Sequence, residues 1–197
     1  VPPTLRLTAG ARSDKNGFDI QTTDGFRSDG DRCHADYMRY RARMIDRTTW
    51  PQDVQAFAAR WDAYKADTGT IDFTDMLELC LADVDAAPGY PTVIVADEVQ
   101  DMSRLSMSLL WKWAGRAEEI VTAGDPDQAI YEFAGADPQV FRARPAEKTK
   151  LLEQSYRVPR AVHAVATRWI AQNTDRDDVT YLPRDADGCV RHTDANW

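Results

Sequence analysis

The chain has 197 residues, room for one domain or two small ones, and its 43% hydrophobic content supports a packed core. No apolar run approaches the roughly 20 residues that a bilayer-spanning helix needs. Three scattered cysteines, Cys33, Cys80 and Cys189, read as free thiols of a reducing cytoplasm, and a formal net charge of −8 argues against coating nucleic acid through the overall field.

Residues 1–34 are polar and rich in Gly, Asp and Ser, and read as irregular with a short strand near Leu5–Leu7. Helical periodicity begins near Ala35, where Tyr37, Tyr40 and Met44 share one face, and Trp50-Pro51 breaks it. Val54, Phe57, Ala58 and Trp61 repeat the pattern, with Asp53 near the start, where an acid suits the helix dipole. A third helix is expected over Phe73–Ala82, and Ala86-Ala87-Pro88-Gly89-Tyr90-Pro91 is a clear break, so the first 88 or so residues form a mostly helical unit. Beyond it the pattern alternates. Val93-Ile94-Val95 reads as a strand buried on both faces, because its apolar residues are continuous. Asp101 or Ser103 caps a helix running through Trp113, and Glu119–Ala123 is a second buried strand ending at Gly124-Asp125. Lys150–Leu152 is a weaker third strand, Pro159–Asn173 a helix, and Tyr181–His192 a turn at Asp187-Gly188 followed by a strand. Strands alternating with helices imply an α/β fold with a parallel sheet.

Four segments carry the chemistry. The first strand ends in Asp97-Glu98, at the carboxyl end where open α/β sheets bind ligands. Two adjacent acids there suit holding a magnesium ion and drawing a proton from an attacking water, or simply capping the next helix. In Gly124-Asp125-Pro126-Asp127-Gln128-Ala129-Ile130-Tyr131-Glu132-Phe133, Gln128 is an uncharged donor and acceptor able to touch a terminal phosphate or a water. Tyr131 and Phe133 are either base-stacking rings or core residues. In Gln154-Ser155-Tyr156-Arg157, the guanidinium lies between a strand and a helix start, where it reaches phosphoryl oxygens or makes a surface ion pair, and Tyr156 could stack on a purine. Gly69-Thr70-Ile71-Asp72-Phe73 reads as a capped helix.

In this order and spacing the segments resemble superfamily 1 DNA helicases of the UvrD/Rep type, over roughly residues 68–192. The resemblance implies a partial RecA-like P-loop NTPase core preceded by a helical insertion subdomain: residues 1–88 as the insertion, 89–148 as the second half of the first RecA-like domain, and 149–197 as the start of the second. It implies ATP and Mg²⁺ as cofactors, with Asp97 holding the metal and Glu98 as general base. By the same likeness Gln128 senses the γ-phosphate, Tyr156 stacks on adenine, Arg157 acts as an arginine finger, and Tyr131 and Phe133 meet single-stranded DNA. The implied partners are single-stranded DNA and its junctions with duplex, and the implied direction of travel is 3′→5′. The rivals are a non-catalytic nucleic-acid-binding module and a purely structural insertion.

Two departures stand out. Many family members have Trp-Arg-Gly where this chain has Phe133-Ala134-Gly135, so an arginine is absent at 134. The nearest approach to a phosphate loop, Gly25-Phe26-Arg27-Ser28-Asp29-Gly30-Asp31-Arg32, puts Asp31 where a lysine is needed. A carboxylate facing phosphate repels it, so this match is rejected. In the family the loop lies upstream of the insertion, and the expectation is a central slice of a longer motor, its remainder lying outside this chain. Smaller signals are an Arg39/Arg43/Arg47 stripe, read as a solvated helix face in preference to a phosphate-binding one, and Cys189-x-x-His192, which lacks two further ligands for zinc.

Overall fold

The computed structural model describes residues 28–143, 146–174, 176 and 179–191; the expected strand near Leu5–Leu7 lies outside them. The chain divides into two compact units, Val1–Ala143 and Arg144–Trp197.

In the first unit, α1 (Asp29–Ala42) starts where the Ser28 side chain accepts from the Asp31 N–H, with Asp29 and Asp31 in its first turn and Arg39 and Arg41 in its last. That charge order complements the helix dipole. The helix begins earlier than its apolar periodicity suggests and also ends earlier: Met44, expected on the Tyr37/Tyr40 face, takes φ 53° beyond the helix and is exposed. A short 3₁₀ turn, Arg47–Thr49, leads to α2 (Gln52–Thr68), which Gly69 closes in the left-handed conformation at φ 64°. Next comes α3 (Phe73–Asp83), opened by a reciprocal capping box between Asp72 and Asp75. Cys33, Tyr37, Trp50, Val54, Phe57 and Ala58 form the core of this helical part, with Trp61 packed against it.

The α/β part follows: β1 (Val93–Ala96), a 3₁₀ turn Val99–Asp101, α4 (Arg104–Ala114) capped by Ser103, and β2 (Glu119–Thr122). The two strands pair in parallel, Val93 opposite Glu119 and Ala96 opposite Thr122. Val99, Met107 and Leu110 form the core beneath them, with Ile94, Ala96 and Ile120 packed on it. The other face is uncovered among the described residues, and Val95 there is 70% exposed. Burial on both faces is therefore corrected to one face: α4 covers a single side of a two-stranded sheet. Two 3₁₀ turns, Pro126–Gln128 and Glu132–Ala134, and the short α5 (Pro138–Arg142) complete the unit.

The second unit holds β3 (Gln154–Pro159), α6 (Arg160–Ile170) and β4 (Leu182–Arg184), with β3 and β4 parallel. The expected strand over Lys150–Leu152 is not formed; the strand lies just after it, where Gln154 pairs with Leu182 and its Nε2 donates to the Pro183 carbonyl at 2.9 Å. Leu151 and Leu152 are instead exposed, with no partner strand beside them among the described residues. Likewise the last strand precedes the Asp187-Gly188 turn instead of following it. The carbonyls of Ala186 and Asp187 accept from the N–H groups of Arg160 and Ala161, both at 2.9 Å, satisfying the first amides of α6.

Candidate active site

The end of β1 explains how the acid pair is presented. Continuing hydrogen bonds carry the β1–β2 ladder past the strands: Ala123 N–H donates to Ala96 O at 2.8 Å, and Val99 N–H to Ala123 O at 3.0 Å. Between these anchors the chain must turn, and Glu98 does so at φ 53°, ψ 39°, a left-handed conformation uncommon for a residue with a side chain. Asp97 accepts the Glu98 N–H at 2.9 Å. Both carboxylates are exposed, and among the described residues neither has an ion-pair partner.

Gln100 was not singled out from the sequence, yet it is the most buried polar side chain of this end, 1% exposed. Its Nε2 donates to Glu98 Oε2 at 2.6 Å and its Oε1 accepts the Asp125 N–H at 3.0 Å. A carboxylate only accepts and a backbone N–H only donates, so this amide orientation is the one that satisfies both. The Asp125 carboxylate caps its own 3₁₀ turn, accepting from Asp127 N–H at 3.1 Å, and its other oxygen accepts from Gln128 Nε2 at 2.6 Å. Asp97, Glu98, Gln100, Asp125 and Gln128 thus form one polar constellation at the carboxyl end of the sheet. The sequence signal for Gln100 was an amide closing an apolar-acid run; Gly124 and Asp125, just past β2, lie against it, which no local pattern reports.

Tyr131 and Phe133 flank the next turn with ring centroids 6.1 Å apart, and are 47% and 57% exposed. Neither ring is buried among the described residues. The turn is gripped from α1: Arg43 Nη2 donates to the carbonyls of Glu132 at 3.0 Å and Ala136 at 3.3 Å. Gly135, at φ 104°, sits where a Cβ would lie 2.8 Å from the Cβ of Ala42. Arg39 pairs with Asp36 and Arg47 with Asp62, so the arginine stripe is engaged within the chain.

In the second unit Arg157 and Tyr156 are both exposed, Tyr156 at 87%. They lie within β3 itself rather than between a strand and a helix, and the Arg157 N–H donates to Ser155 Oγ at 3.3 Å.

Other candidates resolve as structural. Gly30, Asp31 and Arg32 belong to the first turns of α1, while Gly25–Arg27 lie outside the described residues. Cys189 is exposed and His192 lies outside the described residues; no group of three metal-ligating side chains occurs among those described. A groove of about 960 Å³, lined by Tyr37, Arg41, Met44, Asp75 and Leu79 among others, opens over a buried ion cluster and includes neither acid of the pair. In that cluster Arg41 donates to Tyr37, Asp72, Asp75 and Glu78, and Lys65 to Tyr37, Asp72 and Asp75. Burial and the hydrogen bond to Asp62 push the Tyr37 hydroxyl up to about 12. Burial opposes the charges of Asp72 and Asp75, yet hydrogen bonds from the backbone and Lys65 hold both carboxyls below their usual range.

An exposed acid pair at the end of a parallel strand, beside a polar turn, is the ligand-binding geometry of α/β proteins. The chain belongs to the UvrD/REP helicase N-terminal domain family, whose model matches residues 32–148. It is 31% identical over 138 residues to ATP-dependent DNA helicase UvrD2 of Mycobacterium tuberculosis, covering 61% of this chain and 20% of that protein. It is 29% identical over 139 residues to DNA helicase II of Escherichia coli, covering 65% and 19%. Over 138 residues it is 25% identical to the putative ATP-dependent DNA helicase YjcD of Bacillus subtilis, covering 64% and 18%. The chain thus spans about one fifth of the length of these relatives. No helix among the described residues is long and apolar enough to cross a membrane.

Proposed function

We propose that this chain is the central part of an ATP-dependent DNA helicase or translocase that moves 3′→5′ on single-stranded DNA and opens duplex at single-strand junctions. In this reading residues 1–88 are a helical insertion, 89–148 the second half of a first RecA-like domain, and 149–197 the start of a second. The observation that carries it is the exposed Asp97-Glu98 pair, tied through hydrogen bonds to the Gln128 turn at the carboxyl end of a parallel strand pair.

The fit to a metal–nucleotide pair rests on the donor set: unpaired, solvent-facing carboxylates suit a hard, hydrated cation. Bound ATP with Mg²⁺ supplies the scissile phosphoryl group and the charge that offsets it. Asp97 is the residue that would hold the ion. Glu98 takes a proton from the attacking water, Gln128 contacts the terminal phosphate, and Arg157 neutralises phosphoryl oxygens. Tyr156 stacks on the adenine, and Tyr131 with Phe133 offers rings to unpaired bases.

The test is Glu98→Gln in the full-length protein. Hydrolysis falls by about 10²–10⁴-fold while nucleotide affinity stays within a few-fold; equal loss of both would make Glu98 structural. The rival reading, a nucleic-acid-binding module without catalysis, draws on the exposed Tyr131 and Phe133 rings, which could meet unpaired bases without any hydrolysis. It predicts that the full-length parent shows no DNA-stimulated hydrolysis at all.

A further inference from the structure

We propose that Gln100 is a positioning residue that couples the Glu98 carboxylate to the Asp125–Gln128 turn, making the acid and the glutamine on its neighbouring loop one mechanical unit. The inference rests on the catalytic reading above and adds to it a residue that touches neither substrate nor metal.

The geometry is a relay of three side-chain bonds. Glu98 Oε2 meets Gln100 Nε2 at 2.6 Å, Gln100 Oε1 meets Asp125 N at 3.0 Å, and Asp125 Oδ2 meets Gln128 Nε2 at 2.6 Å. Gln100 is buried and both ends of its amide are used, so it cannot move one end without disturbing the other. Its seat is also sterically closed. A Cβ on Gly124 would stand 2.7 Å from Gln100 Oε1 and 2.9 Å from Val99 Cγ2, although Gly124 has no positive φ. Glycine at 124 therefore serves close approach rather than backbone freedom: it lets the end of β2 lie against the amide. Glu98 turns in a left-handed backbone, and Gln100 anchors one oxygen of its exposed carboxylate while the other is left to face water.

No smaller or charged side chain reproduces this. Asparagine is one methylene too short to span both partners. Glutamate keeps an acceptor for the Asp125 N–H but sets a second carboxylate against Glu98. Methionine matches the length and loses both bonds.

The experiment uses the full-length protein with Gln100→Met and reads two quantities. The first is amide exchange of the segment 123–125, which is independent of turnover; it is expected to accelerate about tenfold as the Asp125 N–H loses its acceptor. The second is steady-state kinetics: kcat is expected to fall about tenfold to a hundredfold with KM for ATP changed less than about threefold, as for a misplaced catalytic group. Unchanged exchange overturns the coupling, and so does an equal rise in KM with kcat intact. Gly124→Ala approaches the same amide from the other side and is expected to give the same pair of changes. If both variants lose their fold outright, Gln100 is a structural residue and the proposal fails. Should Glu98→Gln retain full turnover while the exchange change appears, the catalytic reading fails and the Gln100 linkage stands as geometry alone.

Discussion

Arg41→Met removes the guanidinium at the centre of the buried ion cluster. Arg41 is 7% exposed and bonds Tyr37 Oη at 2.9 Å, both oxygens of Asp72 at 3.2 and 3.0 Å, Asp75, and Glu78 Oε1 at 3.0 Å. After the substitution Asp72 and Asp75 share a single cation, Lys65, at 2.9 and 2.7 Å, and keep their reciprocal capping bonds to the backbone, each 2.8 Å. Removing one partner of a buried pair costs about 3–5 kcal/mol. The remaining ammonium and the capping bonds place this case at the lower end, about 3 kcal/mol. Glu78 is partly exposed, yet it accepts from both Nε and Nη2 of Arg41, so the loss of this fork adds to the cost. Arg41→Lys falls between, because a point charge cannot fork to Asp72 and Glu78 together. The assay is urea denaturation of the chain, read through amide exchange of α1 and α2. A double-mutant cycle with Asp72→Asn should give about 1–3 kcal/mol of coupling. A loss below about 1 kcal/mol for Arg41→Met, or strict additivity, would refute the reasoning.

The stability of the helical part also depends on pH. Asp72 and Asp75 titrate below their ordinary value, and burial lowers the pKa of His34. In each case the unfolded chain takes up the proton first as pH falls. His34 therefore begins to destabilise the fold below about 6.5, and the carboxylates add their loss as pH falls through their folded values; a denaturation midpoint that rises between pH 7 and 5 would contradict this. Tyr131→Ala and Phe133→Ala should each weaken binding of a single-stranded oligonucleotide to the full-length protein by about 1–3 kcal/mol per lost stack, measured by fluorescence anisotropy; unchanged affinity removes them from the DNA contact. The 197-residue chain by itself should hydrolyse ATP negligibly, since its nearest match to a phosphate loop carries Asp31 where lysine is needed; robust DNA-stimulated turnover by the purified chain would overturn this.

Local patterns announced the elements whose determinants are local. The Asp72 capping box, the Val54/Phe57/Ala58 face and the apolar run ending at Asp97 are all readable within one or two turns of chain. What escaped depends on neighbours distant in sequence. Val95 looked buried because three apolar residues in a row suit a two-sided sheet, yet the covering layer on its outer side is not among the described residues. Met44 continued the α1 periodicity by one turn, but the backbone had already left the helix. The strand carrying Tyr156 and Arg157 was displaced by a few residues because β4, some 30 positions on, selects which segment pairs. Nothing in the local pattern singles out Arg41 or Lys65, since their partners Asp72 and Asp75 sit at the start of α3, distant from Arg41 in sequence.

The helical part is more than a separate layer beside the acid pair. At the end of α1, Arg43 holds the carbonyls on either side of Phe133-Ala134-Gly135, and Ala42 closes on Gly135. The family resemblance leads one to expect arginine at 134; the chain has Ala134, and Arg43, which caps α1, binds the backbone of the same turn. Arg43 connects this turn to the helical segment. Gln100 meanwhile joins the start of that loop, at Asp125, to Glu98. The loop bearing Gln128, Tyr131 and Phe133 is therefore fastened at both ends, by an amide on the acid side and by a guanidinium on the helical side. In the catalytic reading, a shift of Glu98 would draw on the first fastening, and the second would decide whether the aromatic turn moves alone or carries α1 with it.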